Sequence, residues 1–85
     1  MLAGQASNIE GYMTKTIYVR LLGEGVTVYR PVLAKEIAPS VYVIDGTTLY
    51  SSDDEEWEFK PGSQVVVEER LLEGKRELVA TAAVR

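Results

Sequence analysis

Short runs of alternating β-branched and aromatic residues, each ended within about ten residues by glycine or proline, restrict this chain to a fold made of strands. Residues 16–22 read Thr-Ile-Tyr-Val-Arg-Leu-Leu, which sets Ile17, Val19 and Leu21 on one face and Tyr18 and Arg20 on the other. Gly23 and Gly25 then offer the positive φ of a hairpin loop, and residues 26–30 alternate again as a second strand. Pro31 has no N–H for a ladder, so a bend, a bulge or an edge is expected there, before Val32 and Leu33 restore the apolar character. Residues 35–40, with Pro39, read as a connection.

Residues 41–45 form a third strand ended by the Asp45-Gly46 turn pair, and residues 47–50 a short fourth. An acidic loop over 51–56 follows. Trp57 and Phe59 share one strand face opposite Glu56, Glu58 and Lys60, and Lys60-Pro61-Gly62-Ser63 suits a type II turn. Residues 64–72 are the strongest strand. Its phase is broken, since Val65, Val66 and Val67 are consecutive and Glu68, Glu69 and Arg70 are polar, and a bulge or a strong bend within it explains this. A second hairpin through Glu73-Gly74-Lys75 leads to residues 77–84. Their alanines favour helix, but Val79, Thr81 and Val84, coming straight after a turn, favour strand.

Five or six short strands with tight turns and no amphipathic helix predict an all-β domain. The expected architecture is a small SH3-like barrel of five to six antiparallel strands, or an OB-like Greek-key barrel; strand count does not separate the two. Residues 1–14 mix small and polar residues without a period, and are expected to be a flexible leader to a domain at 15–85, with Met13 an alternative start. The chain has 85 residues and no Cys, so neither a disulfide nor a thiolate zinc site supports its small core. Packing, or association with a second copy, has to do so instead. The sequence holds neither the apolar run of a membrane helix nor a signal-peptide layout, and the expected location is the cytoplasm.

Charge and residue inventory remove several functions. The net charge of -4 opposes binding to a phosphate backbone, so no nucleic-acid partner is expected. Acidity is local, however, because Asp53, Asp54, Glu55, Glu56 and Glu58 lie together. The absence of His and Cys removes the usual nucleophile and base pairs. Ser40 with Lys35 has no nucleophile elbow around it, and a paired-carboxylate site needs a cleft larger than a small barrel builds. No enzymatic activity and no cofactor are expected. The run from Asp53 to Glu56 is contiguous, whereas a calcium loop alternates its ligands and turns on a glycine, so no metal site is expected either.

Two groups of residues remain as binding candidates. Tyr18 and Tyr29 face away from the apolar sets of their strands and, with Arg20 and Arg30, make a candidate aromatic and basic patch on the first hairpin, although an ordinary cross-strand cluster would have the same composition. Asp54 and Glu56 beside Trp57 would suit a small cationic ligand. Trp57 also reads as a core plug, because it shares its face with Phe59 opposite charged residues.

Three stretches, Ile17-Tyr18-Val19-Arg20-Leu21-Leu22-Gly23-Glu24-Gly25, Val28-Tyr29-Arg30-Pro31-Val32 and Asp54-Glu55-Glu56-Trp57-Glu58-Phe59-Lys60-Pro61-Gly62-Ser63, give the chain from about Ile17 to Glu69 a further reading. This part resembles a group of uncharacterised small bacterial β-barrel proteins with no known activity. The resemblance implies a stand-alone small β protein and carries over no functional residue. The resulting expectation is a non-enzymatic module that binds a protein partner or self-associates, for instance as a homodimer. The alternative is a small-molecule or cation binder using the acidic loop near Trp57.

Overall fold

A computed structural model describes residues 14–45 and 55–84. The leader expected before Thr14, the strand expected at 47–50 and the acids Asp53 and Asp54 lie outside the described residues. The described residues form six strands: β1 (Thr14–Leu22), β2 (Tyr29–Ala38), β3 (Val41–Ile44), β4 (Glu56–Trp57), β5 (Gln64–Leu72) and β6 (Lys75–Ala83). The strand order β2-β3-β5-β6-β1, with β1 also pairing β2, bends the sheet into a ring, and β4 is added at the far end of β1. Apart from the short β4, which comes between β3 and β5 in the chain, and the closing β6–β1 contact, neighbours in the ring follow one another along the chain as in a meander. Four of the five ring contacts are antiparallel. The closing one, β1 with β6, is parallel and consists of the single bridge Tyr18–Val79, so the ring is joined only at one point along this seam.

The alternation read from the sequence sets the core. Ile17, Val19 and Leu21 from β1 meet Val32 and Ala34 from β2, Tyr42 and Ile44 from β3, Val65 and Val67 from β5, Ala80 from β6 and Trp57 from β4. Val28, Phe59 and Leu78 pack against this cluster. Ile17, Val19, Ile44 and Val65 are fully buried, and each contributes roughly 1.5–3 kcal/mol through removal from water.

Several expectations are corrected. Thr14, assigned to the leader, opens β1. The first hairpin loop is longer than Gly23–Gly25: the second strand begins at Tyr29, not Val26, and runs to Ala38 through the expected connection. Pro31, the third residue of this strand, lies ahead of the β2–β3 ladder, which begins at Ala34, so β2 is there an edge on the side away from β1, one of the three arrangements expected at this proline. Leu21 N donates to Val28 O at 2.8 Å, and alternation along the ladder makes Val19–Arg30 and Ile17–Val32 the hydrogen-bonded pairs. Tyr18–Pro31 is then a pair that needs no N–H from proline. Further along β2, a register shift at Ile37 lets Ala38 pair with Val41 across the Pro39–Ser40 turn, where Ser40 has a φ of 63°.

The bulge expected in β5 lies in its partner. Val66 pairs with Ala82 and Val67 with Ala80, which leaves Thr81 as the extra residue of β6. The Thr81 hydroxyl lies 3.2 Å from Glu68 Oε2 and 3.4 Å from the Val66 carbonyl. β5 therefore keeps its phase, with Val65 and Val67 inward and Val66 outward. The last segment is strand, as expected, and Lys60–Ser63 is a type II turn, with Gly62 at φ 88° and Ser63 N donating to Lys60 O at 3.0 Å.

Candidate functional site

The expected patch on the first hairpin divides between the two faces of the sheet. Tyr18 and Arg20 on β1 face outward, and Tyr29 lies directly across from Arg20. Arg30 is the next residue along β2 and is paired with the inward Val19, so it belongs to the inner face at the end of the ring. There its guanidinium forms a two-pronged contact with Glu55: Arg30 Nε donates to Oε1 at 2.8 Å and Nη2 to Oε2 at 2.7 Å. Trp57 Nε1 donates to the same Oε1 at 2.8 Å. The hydrogen bonds from Arg30, then that from Trp57, hold the Glu55 carboxyl below its ordinary range, while the hydrogen bond and charge of Glu55 raise Arg30. Arg30 is thus part of a latch over the core and does not belong to the outer patch.

Trp57 is 3% exposed, which confirms the core reading and removes its ring from any contact with a cation arriving from solvent. Glu56 alternates with it on β4 and is exposed, paired in register with Leu22. Asp54 lies outside the described residues. Among the described residues no group of three or more acids could hold a metal ion. Among the same residues no helix is long and apolar enough to cross a membrane.

A groove that sequence reasoning missed lies over the remaining patch residues. The β5–β6 hairpin overhangs the outer face of β1 and β2, enclosing about 830 Å³ between Tyr18, Val28 and Tyr29 on one wall and Leu71, Leu72 and Glu77 on the other. A smaller groove of about 320 Å³ shares Tyr29, Leu71 and Leu72 and reaches Arg20, Glu58 and Val79. Val79 shows how the overhang packs. It lies opposite Glu68, on the outward side of β6, yet is 4% exposed and is not a member of the main core cluster. Leu71, by contrast, is 70% exposed at the rim. The signal in the sequence was the Leu71-Leu72 pair, apolar on both faces just before a turn, where alternation calls for one polar residue.

Backbone groups also reach this groove. The two-residue turn at Glu73–Gly74 makes Leu72–Lys75 a hydrogen-bonded pair, and alternation turns the backbone N–H groups of Arg76 and Leu78 away from β5. β6 meets β1 only at Val79, so the Arg76 side of the strand is an edge.

No family model matches this chain, and neither a curated protein nor a solved structure does.

Proposed function

We propose that this chain is a non-enzymatic interaction module on an SH3-like scaffold, and that the groove between its two hairpins takes an extended segment of a protein partner. The observation that carries this reading is the pairing of a mixed channel, in which Tyr18, Val28, Tyr29, Leu71 and Leu72 lie beside Glu73, Lys75 and Glu77, with the open β6 edge at Arg76. An added strand would gain main-chain hydrogen bonds from the edge and place alternate side chains against the tyrosines and leucines. Tyrosines supply large contact area at low cost in conformational entropy. A half-enclosed groove suits a peptide better than a small molecule, which pockets normally enclose on most sides.

A displayed library of random linear peptides, selected on the full chain, tests the proposal. Enriched peptides should alternate aliphatic or aromatic residues with polar ones. Their affinity should fall at least tenfold in Leu71→Asp and in Tyr29→Ala, both with unchanged far-ultraviolet circular dichroism. Failure to enrich, or enrichment indifferent to both substitutions, would sink it.

A further inference from the structure

The sheet has a second surface that departs from the usual pattern of apolar inside and polar outside. On the outer side of β2, β3, β5 and β6, the register aligns Ala38, Val41, Val66 and Ala82 in one row across four strands. The next row is Lys35, Val43 and Gln64. Leu33 and the bulged Ile37 border these rows, at 50% and 46% exposed. Lys35 is the only full charge in the two rows, although the chain carries a net charge of -4. This face lies on a different side of the ring from the groove.

We infer that this face is a dimer interface and that its occupant is a second copy of the same chain. Val41 and Val66 stand directly opposite each other in neighbouring strands. A two-fold axis between β3 and β5, parallel to the strands, exchanges them: Val41 of one copy lies over Val66 of the other, and Ala38 over Ala82. The same operation keeps the two Lys35 side chains apart, so the two rows meet their copies without a like-charge contact, and Glu68, next beyond Val66 on the outer side of β5, is paired with Arg70. Its small side chains suit two sheets stacked about 10 Å apart in aligned packing.

Size decides how strong such a dimer is. Four strands about 4.8 Å apart and about five residues long project onto roughly 300 Å², or about 500 Å² of textured surface per copy. Two copies then bury about 1,000 Å², the lower limit for a specific interface, so dissociation falls in the micromolar range or weaker.

Sedimentation equilibrium of the full chain from about 10 μM to 1 mM tests this, a window set by that affinity. The average mass should rise from one chain towards two across the series. Leu33→Glu and Ile37→Glu, both at exposed positions that tolerate a charge, should weaken the dimer at least tenfold. Leu71→Glu, in the groove, should leave it unchanged. A single-chain mass throughout the series overturns the inference, and so does a dimer that Leu71→Glu weakens as much as the two face variants do.

Discussion

Glu55 links an exposed charge of the inner face to a buried aromatic of the core, since one carboxylate accepts from both Arg30 and Trp57. The Arg30 side chain is 48% exposed, so screening discounts the ion pair, and Glu55→Gln should cost only about 1 kcal/mol. Glu55→Ala should cost more, because it removes the hydrogen bond from Trp57 Nε1 as well as both from Arg30. The pH dependence follows from the lowered carboxyl. Its contribution is complete above the unfolded-state value of about 4.3 and is lost as pH falls through the lower folded-state value. Trp57 is the only tryptophan, so its fluorescence reports the transition. Acid-induced change that is identical in wild type and Glu55→Gln would show that the latch contributes nothing. At this scale the sequence was partly legible. The two-residue spacing of Trp57 and Phe59 revealed a shared buried face, whereas Glu55 looked like any other acid in its run. Which acid would meet Arg30, 25 positions earlier, depends on how β4 is set against β1.

Strands and turns were the most legible part, because period and turn chemistry are local. The limits of β5 follow directly from its valines and the flanking turns, and the Glu73–Gly74 turn has positive φ at both residues, 51° and 83°, as a type I′ hairpin requires. The misplaced end of β2 has a local cause as well: the bulge at Ile37 absorbs an out-of-phase residue, so a strand continued where alternation stopped. Turn substitutions therefore have opposite expected signs. Gly74→Ala meets no atom within 4 Å but must adopt φ 83°, and should lower stability by about 1 kcal/mol through backbone strain alone. Ser40→Gly relieves a non-glycine residue at φ 63° and should raise stability by about 0.5 kcal/mol, the residual after the added freedom of the unfolded chain. Urea unfolding of both variants checks the pair. A stabilised Gly74→Ala or a destabilised Ser40→Gly would mean that contacts, and not backbone conformation, control these turns.

A closed sheet was legible in the number of short strands and tight turns, but the seam that closes it was not. No residue type announces that β6 will run parallel to β1, and a contact made through the single pair Tyr18–Val79 leaves no periodic signature. That one bridge divides the molecule energetically. Long antiparallel ladders join β1 to β2 and β5 to β6, each with seven or eight aligned pairs, while the seam between these two hairpins is held mainly by side chains around Val79 and the groove. Local opening should follow this division, with the seam loosening before either ladder. Native-state amide exchange distinguishes the two. The amides of Val19, Ile44 and Val65 should be among the slowest, at the level of global unfolding, and those of Glu77 and Val79, which bond to β5, should be intermediate. The Arg76 amide faces the free edge and should exchange close to its intrinsic rate until a peptide is added, then slow by at least tenfold. If Arg76 is already as protected as Glu77 in the free chain, the β6 edge is occupied and no strand can be added there. Rapid exchange at Arg76 that a bound peptide does not slow would leave the groove as a side-chain site only, without the main-chain pairing that the proposed function requires.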